Sequence, residues 1–242
     1  MQKAIITGST GLLGMATARR LLNAGIHVLC IGRKSLSPLQ VRDNFGDNAT
    51  YLALSMERIS SLGKEIDQIK WDTGIDCIFY NFAWSGTKSL TDGTFEEQMK
   101  NAVHASNAVK TAREIGCSKF VNVGTLEETF VERYLQNKNL PYNFNQSNYA
   151  LSKLASRNLC KMTAYLEKID YVHSRLSIPL ISDLSKGTYV ASTLRKIFNG
   201  VPHEKPTNTQ LFDIVLTDDV SEAYYLIGLH GKNKADYFIG TS

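Results

Sequence analysis

Apolar runs and amphipathic segments alternate through most of this chain. The runs at residues 4–6, 26–31 and 76–83 have the length of strands, whereas residues 12–23 and 95–115 carry apolar side chains at helical spacing. Strands that are apolar almost throughout, and that are separated by helices, are typical of a parallel sheet with helices on both faces. The pattern therefore predicts a doubly wound α/β fold.

The remaining elements continue this alternation, which loosens in the last quarter of the chain. Residues 32–49 and 182–209 are polar stretches, and we predict one helix, at 190–198, inside the second. Thr217 is predicted to cap a helix at 218–229, because hydroxyl side chains are good N-caps. Further strands are predicted at 51–54, 120–123, 171–176, 212–216 and 237–240, and further helices at 59–70, 127–136 and 148–168.

The turn between the first strand and the first helix carries glycines at positions 8, 11 and 14. Glycine lets the backbone turn sharply and approach a pyrophosphate, and the N–H groups of the new helix then face the phosphates. Glycines are common in turns, so a tight turn without a ligand is the alternative. Because a helix and a second strand follow at once, we predict a dinucleotide site in a Rossmann-type fold, formed by Gly8, Ser9, Thr10, Gly11, Leu12 and Leu13.

Composition excludes several classes of protein. The net charge is +4 without a long basic run, so nucleic acid is not indicated as a partner. No apolar stretch is long enough to cross a bilayer, and the first residues lack the order of a signal peptide. The cysteines form no Cys-x-x-Cys pair and the histidines show no metal-ligand spacing. We expect a cytoplasmic protein with reduced thiols, no metal ion and no membrane partner.

Tyr149 and Lys153 stand four residues apart at the start of a predicted helix and so share one helix face. Such a pair is a weak signal by itself, because most are exposed neighbours. Thr125 ends an earlier strand, where a parallel sheet presents its reactive groups. A strand-end hydroxyl without a role is the alternative for Thr125, and the glycine turn favours the functional interpretation of all three.

These positions together resemble the short-chain dehydrogenase/reductase superfamily, in the nucleotide-sugar-modifying branch known as the NAD-dependent epimerase/dehydratase family. The glycine spacing, the segment 81–83, Thr125, and the Tyr149–Lys153 pair match its motifs. Segments 175–179, 212–220 and 237–240 resemble later parts of the branch. The resemblance spans nearly the whole chain and implies an NAD(P)-dependent oxidoreductase or epimerase.

The resemblance also implies roles for individual residues. Tyr149 would donate a proton to the substrate oxygen, and Lys153 would lower the pKa of Tyr149 and hold the nicotinamide ribose. Thr125 would bind the same substrate oxygen. Ser55 and Met56 stand where the branch usually has an aspartate near the adenine. Cofactor contacts are further expected from Phe82, Ala83 and Pro179, and substrate contacts from Trp84, Ser85, Leu126 and Glu127.

Arg33 and Lys34 follow the second strand, where NAD-binding proteins usually carry an acidic residue for the ribose hydroxyls. An arginine there can bind a 2′-phosphate through charge-assisted hydrogen bonds. A solvated basic pair on a surface loop is the alternative. We therefore expect NADP(H) as the cofactor, with NAD(H) as the second choice.

The residues that follow Thr125 help to distinguish between the possible reactions. The resemblance implies Thr-Asp-Glu or Thr-Ser-Glu at this position in a dehydratase, where an acid and a base remove water. Glu127 could act as such a base, but Leu126 cannot deliver a proton, and we favour the interpretation of Glu127 and Glu128 as charge at a helix N-terminus. We expect an NADP-dependent reductase of a keto group on a nucleotide-linked sugar. The alternatives are an epimerase with tightly bound NAD, a dehydratase, a reductase of another small carbonyl compound, and a non-catalytic NADP-binding sensor or scaffold.

The chain is expected to comprise a dinucleotide-binding domain at residues 1–178 and a small, shortened substrate-binding portion at 179–242. Segment 212–229 of that portion would pack back on the first domain. Loops at 86–94, 126–148 and 182–209 would line the substrate pocket. The resemblance implies a homodimer formed through the helices at 95–115 and 148–168.

Overall fold

The structure is a computed structural model that describes residues 1–74, 76–86, 93–137, 139, 147–184, 189–203 and 213–241. Within these ranges the strands are β1 (Lys3–Thr7), β2 (His27–Gly32), β3 (Thr50–Ala53), β4 (Cys77–Asn81), β5 (Lys119–Thr125), β6 (Asp170–Leu176), β7 (Ile178–Leu180), β8 (Ile214–Leu216) and β9 (Asp236–Ile239). The helices are α1 (Leu12–Asn23), α2 (Pro38–Phe45), α3 (Leu62–Gln68), α4 (Phe95–Glu114), α5 (Glu127–Gln136), α6 (Ser147–Glu167), α7 (Tyr189–Phe198) and α8 (Thr217–His230).

The central sheet has the strand order β3-β2-β1-β4-β5-β6-β9, and every neighbouring pair is parallel. The chain moves outward from β1 to β3 and then crosses to β4 on the other side of β1. In open parallel sheets, ligands bind beyond the carboxyl ends of the strands at such a reversal. The predicted doubly wound fold is thus confirmed, and the glycine turn lies at this reversal.

Alternate side chains of the strands enter two separate cores. On one face, Ala4 and Ile6 of β1 pack in a buried cluster with residues of α1 and α8. On the other face, Ile5 packs in a cluster with residues of α3, α4 and α6. A strand that is buried on both sides has no polar face, which explains the continuous apolar runs of the sequence.

Local capping decides where two of the helices begin. Ser37 accepts a hydrogen bond from the backbone N–H of Gln40, and the Gln40 side chain accepts one from the backbone N–H of Ser37. Thr94 and Glu97 make the same reciprocal pair at the start of α4. Each pair satisfies two N–H groups that a helix leaves without partners.

The structure differs from the sequence prediction at four elements. The polar stretch 32–49 contains α2, whose capping pair and first-turn proline were the overlooked signals. The amphipathic stretch 59–70 is a 3₁₀ helix, Met56–Ser61, followed by α3. Thr217 is the first residue of α8, and the N-cap position belongs to Leu216. Strand β7 was not predicted, and it pairs with β8 in a separate two-stranded sheet.

No helix in the described ranges has both the length and the apolar character needed to span a bilayer.

Candidate dinucleotide and catalytic site

The glycine turn contacts both the end of β4 and the start of α1. Gly8 has a φ of +68°, a conformation that side chains other than glycine rarely adopt. A Cβ on Gly8 would lie 2.8 Å from the backbone of Phe82 and of Ala83, and a Cβ on Gly14 would lie 2.4 Å from the Gly8 carbonyl oxygen. The turn thus brings β1, β4 and α1 together at the carboxyl edge of the sheet.

The N-terminus of α1 suits a negatively charged group. Its N-cap residue is Gly11, no side chain caps the first turn, and that turn contains no acidic residue. Thr10 and Gly11 are exposed. Ser9, by contrast, is buried and its hydroxyl donates to the Ile31 carbonyl oxygen at 3.0 Å. The helix N-terminus can therefore bind a pyrophosphate through backbone N–H groups, whereas the Ser9 side chain holds the turn to β2.

The two basic residues after β2 are exposed at the same edge of the sheet. The Tyr51 hydroxyl donates to the Lys34 carbonyl oxygen at 2.6 Å and fixes the backbone there. Glu57, which the sequence analysis did not single out, has a pKa below its usual value, chiefly because the Ser55 side chain hydrogen-bonds to it, with a smaller contribution from Arg33. The predicted adenine-side residue Ser55 thus contacts an acidic neighbour.

A row of buried polar side chains crosses the sheet at one register level. Thr7, Asn81, Asn122 and His173 are consecutive cross-strand partners on β1, β4, β5 and β6. The Thr7 hydroxyl donates to Asn81 Oδ1 at 2.8 Å, and Asn81 Nδ2 donates to Asn122 Oδ1 at 3.1 Å. Asn122 Nδ2 lies 3.4 Å from His173 Nδ1. We call these four residues the polar ladder.

Tyr149 and Thr125 meet where β5 ends and α6 begins. The Tyr149 phenol shares a hydrogen bond with the Thr125 side chain, and the Thr125 hydroxyl also accepts from the Glu127 N–H at 3.4 Å. Desolvation raises the pKa of Tyr149 above its usual value, and the charge of Glu128 raises it further. The hydrogen bond with Thr125 acts in the opposite direction. The pKa of Tyr149 therefore stays above its usual value, whereas the sequence analysis expected it to be lowered.

Lys153 is buried and makes two contacts that stabilise its charge. Its ammonium donates to the Val123 carbonyl oxygen at 2.8 Å and lies 4.0 Å from the centre of the Trp84 ring. The centre of the Tyr149 ring is further away, at 5.8 Å. Desolvation lowers the pKa of Lys153 to about 8, and the charge of Glu128 opposes this shift. A lysine with such a pKa carries its charge at neutral pH and loses it under mildly alkaline conditions.

Helix α4 holds the segment that follows β4. The Trp84 indole N–H donates to Gln98 Oε1 at 2.6 Å, and the Ser85 hydroxyl donates to Asn101 Oδ1 at 3.1 Å. The rings of Trp84 and Tyr149 meet edge to face, with centres 6.0 Å apart. Trp84 thus touches both members of the Tyr149–Lys153 pair, while Gln98 and Asn101, which the sequence analysis missed, fix its position.

The residues after Thr125 have distinct surroundings. The Leu126 backbone N–H donates to the Leu176 carbonyl oxygen at 2.9 Å, which joins the start of α5 to β6. Glu127 is half-buried, and burial raises its pKa. Its Oε2 is buried and has no hydrogen-bond partner among the residues that the structure describes. Both Glu127 and Glu128 do lie in the first turn of α5, as expected, but Glu128 is completely buried.

The fold therefore brings Thr125, Tyr149, Lys153 and Trp84 into one cluster and places Phe82 and Ala83 against the glycine turn. Pro179 lies in β7, where it pairs with Val215 of β8. Parts of the three predicted pocket loops, at 87–92, 138, 140–146, 185–188 and 204–209, lie outside the described residues. Within the described ranges, no group of three His, Cys, Asp or Glu side chains is placed to hold a metal ion.

The open N-terminus of α1 and the close approach at Gly8 fit a nicotinamide dinucleotide. The sheet, this turn and the cluster around Tyr149 place the chain in the class of Rossmann-type dinucleotide enzymes. A model of the NAD dependent epimerase/dehydratase family matches residues 4–240. The chain belongs to that family, whose members are enzymes of the extended short-chain dehydrogenase/reductase type.

Several solved structures of nucleotide-sugar epimerases share this fold. UDP-N-acetylglucosamine 4-epimerase from Bacillus cereus matches with a TM-score of 0.72 and 14% identity, over 100% of this chain and 76% of its own. UDP-glucose 4-epimerase from Thermotoga maritima, solved with UDP-glucose, matches with a TM-score of 0.73 and 17% identity, over 99% and 77%. The Thermus thermophilus UDP-glucose 4-epimerase, solved with NAD, matches with a TM-score of 0.70 and 17% identity, over 99% and 78%. No curated protein sequence matches the chain.

Proposed function

We propose that this enzyme is a nucleotide-sugar epimerase that uses a retained NAD and acts by reversible hydride transfer at a sugar carbon. The observation that carries the proposal is the cluster itself: the Lys153 ammonium donates to the carbonyl of Val123, two residues before Thr125, and lies 5.8 Å from the centre of the Tyr149 ring. The similar structures named above are epimerases of UDP-linked sugars. This order reverses our expectation from sequence, in which the reductase came first.

Each residue of the cluster has a role in this proposal. When bound, the nicotinamide supplies the site for the hydride that leaves the sugar carbon and returns to it. Tyr149 accepts the proton of the sugar hydroxyl and later gives it back, while Thr125 hydrogen-bonds the same oxygen. Lys153, charged below about pH 8, binds the nicotinamide ribose and offsets negative charge at the phenol. No net oxidation results, so no free cofactor is consumed.

The bound nucleotide and the substrate specificity test this proposal. We would release the nucleotide from purified protein, identify it by mass spectrometry, and assay interconversion of UDP-glucose with UDP-galactose and of their N-acetyl counterparts. We expect NAD and measurable interconversion, with Tyr149→Phe slower by about 10²–10⁴-fold, as for loss of a positioned acid–base group. Full turnover by Tyr149→Phe would assign the proton transfer to another residue.

A reductase is the second candidate, and the exposed Arg33 and Lys34 favour it, because they can bind the 2′-phosphate of NADP. It predicts consumption of free NADPH with a nucleotide-linked 4-keto sugar and no nucleotide retained on purification. A non-catalytic sensor predicts dinucleotide binding without turnover in either assay. The cofactor and substrate assays therefore separate the three candidates.

We also propose that the enzyme is a cytoplasmic homodimer in which residues 179–242 contribute to the substrate side of the site. Helix α6 carries an exposed apolar stripe, which we call the α6 stripe: Leu151, Leu159, Met162 and Leu166. Val103 of the neighbouring α4 is also exposed. Exposed apolar side chains along one helix are typical of an interface with another protein, and in a homodimer the α6 stripe of the second copy would cover them.

A further inference from the structure

The polar ladder ends at a buried carboxylate that touches the proposed catalytic threonine. Glu128 Oε2 lies 2.9 Å from His173 Nε2, and both side chains are fully buried. Glu128 Oε1 accepts a hydrogen bond from the Thr125 backbone N–H at 2.9 Å. A continuous chain of hydrogen-bonding groups therefore connects Thr7, immediately before the glycine turn, with Thr125.

Gly124 leaves the space that this carboxylate occupies. A Cβ on Gly124 would lie 2.3 Å from Glu128 Oε1 and 2.3 Å from His173 Nε2. No other residue could stand there without displacing the pair. The buried acid, its histidine and the adjacent glycine thus depend on one another, although they lie on α5, β6 and β5.

The charged and titratable groups around Glu128 come from three elements. On β6 these groups are His173, Tyr171 and Arg175, whose Nε is 3.9 Å from Glu128 Oε2. On α6 its charge acts on Tyr149 and Lys153, and on α8 it acts on Tyr224.

We propose that Glu128, held by His173, is a positioning residue that fixes Thr125 against Tyr149 and puts a negative charge beside the Tyr149–Lys153 pair. The proposal rests on the function proposed above for that pair. By accepting from the Thr125 N–H, the carboxylate fixes the backbone from which the Thr125 hydroxyl reaches Tyr149.

The direction of the electrostatic effect follows from the sign of the charge. A carboxylate disfavours the phenolate form of Tyr149 and favours the ammonium form of Lys153, so it raises the pKa of both. Removing the charge should lower both values. The alkaline limit of activity, set by loss of the Lys153 proton, should therefore move to lower pH.

Glu128→Gln separates charge from position, because the amide oxygen can still accept from the Thr125 N–H. We expect this variant to keep its turnover on the acidic side of neutral pH and to shift the alkaline limb of its pH profile downward by about 1 pH unit. Glu128→Ala also removes the acceptor and should lose turnover about 10-fold or more. Glu114→Gln, at the exposed last residue of α4, is the control and should change neither the turnover nor the alkaline limb.

A second measurement needs neither substrate nor cofactor. The chain has 2 tryptophans, so Trp71→Phe leaves Trp84 as the sole indole, with the Lys153 ammonium 4.0 Å from its ring centre. Fluorescence of Trp84 against pH should show a transition near the Lys153 pKa of about 8, and Glu128→Gln should move it to lower pH. An unmoved transition overturns the electrostatic part of the proposal, and full turnover by Glu128→Ala overturns the positioning part.

The two readouts also separate this proposal from the function it rests on. If no nucleotide sugar is turned over by the wild type, the proposed function fails, while the Trp84 titration still tests the electrostatic effect of Glu128 on Lys153. Circular dichroism checks that each variant is folded. Should Glu128→Gln not fold, Glu128→Asp replaces it: we expect reduced turnover with an unshifted alkaline limb, and an unreduced rate would overturn the proposal.

Discussion

The Lys153 ammonium lies 4.0 Å from the centre of the Trp84 ring, and the indole N–H of Trp84 donates to Gln98 at 2.6 Å. Gln98 of α4 thus holds the Trp84 ring in place, and the buried Lys153 ammonium of α6 lies against the face of that ring. An ammonium over an indole is attracted by the negative face of the ring, and the attraction grows as water is excluded. The position of the proposed catalytic lysine therefore depends on a residue at the end of β4.

Replacing Trp84 should loosen this arrangement. We expect Trp84→Leu to lower the free energy of unfolding by about 1–2 kcal/mol, because the cation loses its aromatic partner. Trp84→Phe keeps an aromatic face and should lose less, even though it also lacks the hydrogen bond to Gln98. Chemical denaturation measures both, with Trp71→Leu as the control for loss of a partly buried indole. Equal stability of the two Trp84 variants would argue against the cation–π contact.

The pH dependence of turnover should reflect Lys153. Its pKa is lowered to about 8, so the ammonium is present below that pH and is lost as the pH rises through it. We expect kcat/KM to fall on the alkaline side of about 8. Lys153→Arg should be slower yet lack this limb, because a guanidinium stays charged. Lys161→Arg, further along α6, should leave the profile unchanged, and an identical alkaline limb in Lys153→Arg would assign it to another group.

Arg33 should decide which dinucleotide binds more tightly. Losing a charged hydrogen bond to a 2′-phosphate weakens binding by about 10- to 100-fold, so Arg33→Ala should lose that much affinity for NADPH and little for NADH. Isothermal titration with each nucleotide tests this. Arg58→Ala, which removes a guanidinium paired with Glu65 at 2.8 Å, serves as the control. Equal weakening of both nucleotides would rule out a 2′-phosphate contact.

A charge in the α6 stripe should prevent the proposed dimerisation. Leu159 and Met162 are 41% and 55% exposed, so they can be changed without opening the core. We expect Leu159→Glu combined with Met162→Lys to shift the mass measured by light scattering from dimer to monomer. Leu226→Glu, at a similarly exposed position on α8, should remain dimeric. A wild-type protein that is monomeric at high concentration would contradict the proposed homodimer.

The four cysteines should be unreactive in the folded protein. All are free and buried, and burial raises the pKa of Cys30 and of Cys160 to about 12. Because the thiolate is the reactive form, a thiol reagent should modify them slowly under native conditions and completely after denaturation. Titration with such a reagent at neutral pH, with and without denaturant, measures this. Rapid modification of any of the four cysteines under native conditions would show that the segment around it opens to solvent.

Much of the fold could be predicted from local patterns. The bounds of α1 and α5 agree with the prediction, because an amphipathic period and a terminal signal mark each. Helix α2 was missed, since its residues are mostly polar and only its capping pair indicates it. The small β7–β8 sheet was missed because a three-residue strand leaves too little periodicity to detect.

The sequence by itself determined the alternation of strands and helices, the glycine turn and the identities of Thr125, Tyr149 and Lys153, because each depends on residues close together in the chain. Only the tertiary structure decided that Glu128 is buried against His173 and that Lys153 rests on Trp84. These contacts join segments distant in sequence, and whether a charge is solvated or buried depends on which segments meet around it. The protonation states of Tyr149 and Lys153 therefore depend on the residues that the folded structure brings together at the carboxyl edge of the sheet.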